Sequence, residues 1–473
     1  MSAQALSVNT TETIHGPRVW RVVAFAAIGT TFGWYCFFIF GSLTAPIGPV
    51  FFPKGHKVAA DLAAIGSFAV VFLVRPLGAI LYGRKGDLRG RKQAVVRCSL
   101  VLAVTTAAIG LLPAYQTIGL AAPILLITLR VIQGLALGGQ HGLVSVYVAE
   151  LAPETKTGSY LSVIQLTVTA GLLLSSGMIF ALQSVTSLSL SGWGWRVLFL
   201  LAIVLAAWSL YFHRRMPDSP VVSAAAANIH QLARRKKSII AAVLIGLFGA
   251  TAALGVLWYG AQFHTLFFLR EMLKVESSAA VAIVNGALAL TLPVFVFAGW
   301  LTDRFGARKI IMAGCLLAAL SFYPAYRGMA ATAGNAPSVT IKEMKNPATG
   351  GVRVQPVSPQ ADGTFRILPT AQPNLIALFV LVFSQTLLVA IVSPAVATYL
   401  VKSSRADSRC VSVCLSYQLG ISLLGAAVPP FTLLLITVTH SIYGGLLYPA
   451  VVVLLTFLIT LRTPDVLNGS GKN

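Results

Sequence analysis

Acidic residues are nearly missing from this chain: 13 Asp and Glu stand against 35 Lys and Arg in 473 residues. Charged residues make up only 10% of it and hydrophobic ones 56%. With a mean hydropathy of +0.82, a soluble domain is excluded, because large apolar patches would be left facing water. Cysteine is scarce too. Cys36, Cys98, Cys315, Cys410 and Cys414 lie in or beside apolar stretches without metal-ligand spacing, which argues for small packing residues and implies neither a disulfide nor a metal site. There is no His/Cys/acid cluster, nucleophile motif or P-loop, so nothing points to an enzyme or calls for a cofactor. The opening stretch MSAQALSVNTTETIHGPR is polar and has no apolar h-region, so no cleavable signal peptide is expected.

Long apolar runs are what the chain has instead. Runs of about 20 residues, enough to cross roughly 30 Å of hydrocarbon, fall near 20–45, 60–83, 93–113, 121–149, 159–184 and 195–213, and again near 238–266, 277–301, 309–327, 374–400, 411–438 and 442–461. They predict an all-α integral membrane protein of about twelve transmembrane helices. Lys- and Arg-rich loops stay in the cytoplasm. With the N-terminus inside, GRKGDLRGRK, HRRMPDSPVVSAAAANIHQLARRKK, DRFGARK and KSSRADSR face inward, and the uncharged PAYQTIGL and QSVTSLSLSGWG face outward. Both termini are then cytoplasmic. The net charge of +22 reads as a topology signal, and bases scattered over separate loops argue against a nucleic-acid partner.

One charged loop recurs. Gly83, Asp87 and Gly90 reappear as Gly299, Asp303 and Gly306, each 216 positions later. Arg91 follows the first copy, and Arg304 and Arg308 flank the end of the second. Two similar six-helix halves follow from this, 20–213 and 238–461, joined by a basic linker at 214–237 and flanked by tails at 1–19 and 462–473. Parallel halves with a substrate site between them are a transporter plan. In each loop, Gly permits a tight turn or close helix contact, and Asp can accept from a helix N-terminus or pair with Arg. A loop that only fixed topology would need the bases but not the repeated Gly and Asp.

These paired loops resemble those of the major facilitator superfamily. FLVRPLGAILYGRKGDLRGRK, LRVIQGLALGGQHGLVSVYVAELAPETKTGSYLS, GWGWRVLFLLA and YQLGISLLG resemble its metabolite:proton symporter family, whose members carry shikimate, 2-oxoglutarate, citrate and proline or betaine. The resemblance implies two pseudo-symmetric six-helix bundles, a central cavity and alternating access. The chain departs from that family where acids are expected. Gly33 and Cys36 take the acidic places of the first helix, and Gln140 that of the fourth. No acid lies near the middle of a span; Asp61 and Glu150 sit at span ends. Membrane carboxylates are common proton carriers, so proton coupling does not pass over with the resemblance.

Basic and polar residues remain inside the spans. Arg75 and Arg130 are costly there and suit bidentate carboxylate binding, although bracing the nearby loop (Arg75) or internal pairing and snorkelling (Arg130) are alternatives. His141, eleven positions after Arg130, shares nearly its helix face. It is the candidate proton carrier, with a hydrogen-bonded structural histidine as the alternative. Gln133, Tyr35, Tyr259, Gln262, Tyr417 and Gln418 complete the candidate substrate site, beside Trp258 and His264 in the same stretch as Tyr259; aromatics at such spacing also serve as packing. The gating set is Gly83, Asp87, Gly90, Arg91, Gly299, Asp303, Arg304, Gly306, Arg308 and Glu150. The long outer loop 328–373 suits either a small β-hairpin cap or a disordered segment. The expected function is secondary transport of a small organic anion, a mono- or dicarboxylate, across the bacterial inner membrane, proton-coupled and by a monomer. A proton-independent facilitator, a zwitterion carrier and a transporter-like sensor stay open.

Overall fold

Apolar runs this long must satisfy their backbone groups within themselves, and in lipid that means helix. The computed structural model of the chain describes residues 17–52, 57–185, 192–215, 217, 232–333, 340–345, 352–359, 365–367 and 373–463. Most of the predicted N-terminal tail, the middle of the linker and nearly all of the C-terminal tail lie outside these residues.

The first half comprises α1 (Pro17–Ser42), α2 (Lys57–Arg89), α3 (Arg91–Leu111), α4 (Ala121–Leu151), α5 (Thr157–Val185) and α6, which breaks at Leu201 into Gly194–Leu200 and Ala202–Arg215. In the second half, α7 runs from Leu232–Gly246 to Phe268–Met272 and changes between α and π turns, at Leu247–Thr251, Gly260–His264 and Phe268–Met272. Helices α8 (Ser277–Phe305), α9 (Ala307–Thr332) and α10 (Leu375–Ser403) follow. α11 combines Arg409–Gln418, a π segment Leu419–Gly425 and Val428–Thr439, and α12 is Leu447–Arg462. Among the described residues, ten helices are long and apolar enough to cross a membrane. The charged α2 and the broken α6 occupy the other two predicted spans. Helix α7 starts at Leu232, inside the stretch expected as linker, and α2 continues to Arg89, past the span end expected at 83.

Leu73, Leu77, Phe180, Ile376 and Val438 are exposed on outer faces, where lipid replaces water as the solvent. The buried core runs through both halves, which meet along α2 against α11 and α5 against α8, the pairing that a two-fold relation of the halves requires. Between α9 and α10 the chain forms a three-stranded antiparallel sheet, β1 (Thr340–Lys345), β2 (Val352–Pro359) and β3 (Phe365–Ile367), with β2 central. Among its described residues, the long loop thus forms one strand more than a hairpin. β2 lies against Phe268–Met272 at the far end of α7.

Candidate functional site

Where the halves meet, Trp34, Phe37, Arg75 and Gln165 from the first face Trp258, Tyr259, Ser393 and Tyr417 from the second across one cavity. The space open to the centre of a water molecule is about 20 Å³, room for little more than one water. A metabolite fits only if the walls part.

Glycine brings the helices close enough to hold Arg75 at this seam. Side chains at Gly78 and Gly138 would run into Leu135 O and Arg75 O respectively, so α2 and α4 touch backbone to backbone beside the arginine. Arg75 is 1% exposed, and its guanidinium carbon lies 4.2 Å from the ring centre of Phe37, 4.8 Å from that of Phe72 and 5.5 Å from that of Trp34. Those aromatic faces partly replace lost hydration. Nη1 donates to Ser422 Oγ at 3.5 Å, and Ser422 Oγ donates in turn to Gln418 Oε1 at 2.8 Å. Gln418 Nε2 donates to the carbonyls of Leu137 and Gly138 at 3.3 and 3.1 Å. Among the described residues, Arg75 Nε and Nη2 have no hydrogen-bond partner. These two donors form one edge of the guanidinium, the edge that takes a carboxylate side-on.

His141 lies behind the cavity wall. Trp34 Nε1 donates to its Nδ1 at 3.4 Å, its Nε2 is 3.4 Å from Gln165 Oε1, and its ring centre is 4.6 Å from that of Tyr417. An indole N–H can only donate, so Nδ1 accepts and Nε2 carries the hydrogen that goes to Gln165. Both ring nitrogens are therefore used. Gln165 and Ser422 were not singled out from sequence; the available signal was a lone amide in an apolar helix and a serine four positions after Gln418.

Other candidates sit elsewhere. Arg130 is stacked over Phe40 at 4.0 Å and donates to Gln133 Oε1 at 2.8 Å, while Gln133 Nε2 donates to Thr106 Oγ1 at 2.7 Å. This chain is internal to the first bundle. Tyr35 donates to Leu198 O at 2.7 Å and ties α1 to α6. Gln418 braces α11 against α4, and Gln262 is buried on α7 with neither amide atom bonded. Arg130 and His141, expected on one face, have separate surroundings because eleven positions also separate them by about 16 Å along the helix. Two of the missing acids are neighbours: a side chain at Gly33 would strike the Gln140 amide, whose Nε2 donates to Ser99 Oγ at 3.1 Å.

At the other end of the seam the repeated loops explain their own spacing. A side chain at Gly83 would come within 2.8 Å of Val411 Cα, and one at Gly299 within 2.7 Å of Gly158 O. Each glycine thus seats its helix on the first turn of a helix from the opposite half. One turn later comes the Asp. Asp87 accepts from the backbone N–H of Cys410 (2.9 Å) and Val411 (3.1 Å), and Asp303 from those of Gly158 (2.6 Å) and Ser159 (2.8 Å) and from Ser159 Oγ (2.6 Å). These amides have no partner within their own helix and carry the positive end of its dipole. Gly90 and Gly306 then turn the chain at φ 105° and 89°, a conformation that side chains disfavour.

Basic residues complete the loops differently. Arg91 Nε pairs with Glu150 at 3.1 Å and its Nη2 donates to Ala406 O at 3.1 Å, while Arg409 of the second half reaches the same Glu150 at 3.5 Å. Arg308 donates to the carbonyls of Thr460 (3.0 Å) and Leu461 (2.8 Å) at the end of α12. Arg304 lies 5.4 Å from the exposed Trp300 ring. Burial pushes the Asp87 carboxyl up to about 6, against the opposing pull of the two amides and Arg91.

The family described as Sugar (and other) transporter matches residues 22–241. The shikimate transporter of Escherichia coli (strain K12) is 34% identical over 322 residues, covering 65% of this chain and 72% of that protein. The chain belongs to the major facilitator superfamily. A second relative of this transporter chain, the proline/betaine transporter of the same strain, is 28% identical over 319 residues, which cover 65% of this chain but only 64% of that protein. Among solved structures, the proton:xylose symporter XylE bound to 6-bromo-6-deoxy-D-glucose superposes with a TM-score of 0.68 at 15% identity, over 94% of this chain and 96% of that one. The E. coli fucose:proton symporter FucP does so with a TM-score of 0.60 at 16% identity, over 93% and 99%. The fold is thus the superfamily's two-bundle architecture, and the chain is a multi-pass membrane transporter, not an enzyme.

Proposed function

We propose that the chain carries a small organic anion, a mono- or dicarboxylate, across the bacterial inner membrane by alternating access, with both termini cytoplasmic. The observation that carries this reading is the free Nε–Nη2 edge of Arg75. A buried cation with an unused bidentate edge, in a cavity between two bundles, is built to meet a carboxylate that replaces its missing hydrogen bonds. Tyr259 and Tyr417 offer apolar faces for the rest of the solute. With Asp87 and Asp303 both seated on helix ends of the opposite half, the cytoplasmic side is shut. Opening inward requires both carboxylates to leave their amides, so the repeated loops act as paired latches, with Glu150 bridging the halves beside the first.

Trp258 supports a second reading. Its indole faces the same cavity as Arg75 and suits a quaternary ammonium, so a betaine-like zwitterion is the alternative solute.

The test is counterflow of labelled shikimate into proteoliposomes preloaded with unlabelled shikimate, with betaine as competitor. Shikimate exchange insensitive to betaine supports the anion reading. Arg75→Lys, which keeps the charge but loses the fork, should then raise KM by about tenfold to a hundredfold, the equivalent of roughly 1.5–3 kcal/mol for a charge-assisted contact. Betaine exchange without shikimate exchange establishes the zwitterion carrier. Saturable binding without flux of either establishes a sensor.

A further inference from the structure

The transporter reading leaves a group of buried polar atoms on the second half without a role. Beyond Trp258, on the same helix α7, Gln262 and His264 are 4% and 2% exposed. Among the described residues, neither amide atom of Gln262 and neither ring nitrogen of His264 has a hydrogen-bond partner. Thr432 Oγ1 on α11 and Tyr443 Oη, between α11 and α12, are likewise unpartnered. His264 and Thr432 crowd the same glycine: a side chain at Gly445 would come 3.1 Å from His264 Cε1 and 2.5 Å from Thr432 Cγ2. Phe268 stands between His264 and Tyr443, 6.2 Å from each ring. Buried polar atoms left bare are strongly disfavoured, and natural proteins hydrate them. The sequence of unpartnered atoms runs from the cavity wall at Trp258 Nε1 toward the end of α7 farthest from the latches.

The backbone points the same way. Gly260–His264 is a π turn, a form concentrated at functional positions in helices, and Thr265 Oγ1 and Tyr326 Oη both donate to Gly260 O there, at 3.0 and 3.2 Å.

His141 and His264 differ in what a proton would meet. An imidazolium donates from both nitrogens. His141 cannot do so while the Trp34 N–H occupies its Nδ1. His264 has both nitrogens vacant. The groups facing it are Tyr326 of α9, whose ring centre is 5.0 Å away, Phe268 of its own helix, Thr432 of α11 and Gly445 before α12. Among the described residues no ion pair includes it. Without a counter-ion its proton affinity depends on whether water reaches it, so it differs between a conformation open on that side and the closed one seen here. Such a difference is what couples proton binding to a conformational cycle.

We propose that His264 is the proton-coupling residue of this transporter, loaded from the outer water on the side of Thr432 and Tyr443. This rests on the transporter reading but not on the identity of the solute. A proton from outer water adds to a vacant imidazole nitrogen, travels with the solute as the bundles rock, and leaves that nitrogen to cytoplasmic water. Uptake of a monocarboxylate with one proton is then electroneutral.

The experiment uses the full chain in proteoliposomes, with labelled shikimate and labelled betaine each measured two ways: counterflow at equal pH, and accumulation driven by an inward proton gradient. His264→Gln and His264→Asn, which keep a polar atom near one or the other ring nitrogen, should retain counterflow within about twofold and lose accumulation, while His141→Gln keeps gradient-driven accumulation. Accumulation undiminished in both His264 variants overturns the proposal. So does loss of counterflow in both, which makes His264 a packing residue, and so does a wild-type protein that equilibrates both solutes but accumulates neither. If betaine rather than shikimate is the solute moved, the anion reading fails while the His264 comparison is read on betaine.

Discussion

At the scale of the residue, the departures from the family's acidic pattern are physically coupled. Gly33 has no room for a side chain because the Gln140 amide fills that place, so restoring an acid at position 33 alone requires Gln140 to move. Gly33→Ala should lower the thermal midpoint of the detergent-solubilised protein through overpacking worth about 1–3 kcal/mol. Gln140→Ala in the same chain should recover most of the loss, because residues in contact are not additive. Equal losses in Gly33→Ala with and without Gln140→Ala would show that the two do not compete for space. Cys36 is fully buried nearby, so the first bundle fills with neutral side chains the places where the family resemblance implied acids. Arg75 is the opposite case. Its position in a helix was evident from sequence, but its free edge was not, since that depends on Ser422 and Gln418 from a segment more than three hundred positions away.

At the scale of the element, the G-x-x-x-D-x-x-G spacing works because one helical turn separates a glycine that lets two helices touch from an aspartate that caps the touched helix. The second glycine of the motif is a backbone requirement: at φ 105° and 89°, Gly90→Ala and Gly306→Ala should each cost about 1–3 kcal/mol, visible as lower thermal midpoints, whereas Gly29→Ala, where an added methyl would meet nothing within 4 Å, should cost little. Equal effects at all three positions would mean that the turns hold no strain. This much of each loop was legible in the sequence, because a repeat with fixed spacing betrays a local geometric demand. The π turns of α7 and α11 were not legible. Two of them, Leu247–Thr251 and Leu419–Gly425, lie where Gly255, Gly420 and Gly425 bring the two helices into backbone contact, which no periodicity within either segment records.

At the scale of the whole molecule, the two proposed latches are built alike, so their loss should add. Asp87→Asn and Asp303→Asn each replace a carboxylate facing two amide donors by a group that can satisfy only one of them well. Each should shift the population toward the inward-open form by about tenfold or more, on the scale of 1.5–3 kcal/mol for hydrogen bonds to a charged group. The double variant should shift it by roughly the product. Distances between spin labels on the ends of α2 and α11, and of α5 and α8, that carry the repeated loops and their partners would measure this, and unchanged distributions in the double variant would remove the latch role. What the sequence by itself determined is the part set by local chemistry and solvent: apolar helices along most of the chain, the repeated charged loop and its place at the end of a second helix. Hydropathy and spacing act along the chain, so they can be read along it. Which polar side chains meet at the seam was decided only by tertiary structure. Arg130 and Gln133 turned inward to each other and Tyr35 to Leu198, while Gln165, Ser422 and His264 entered the argument, because a buried polar group is defined by partners that come from other helices or do not come at all.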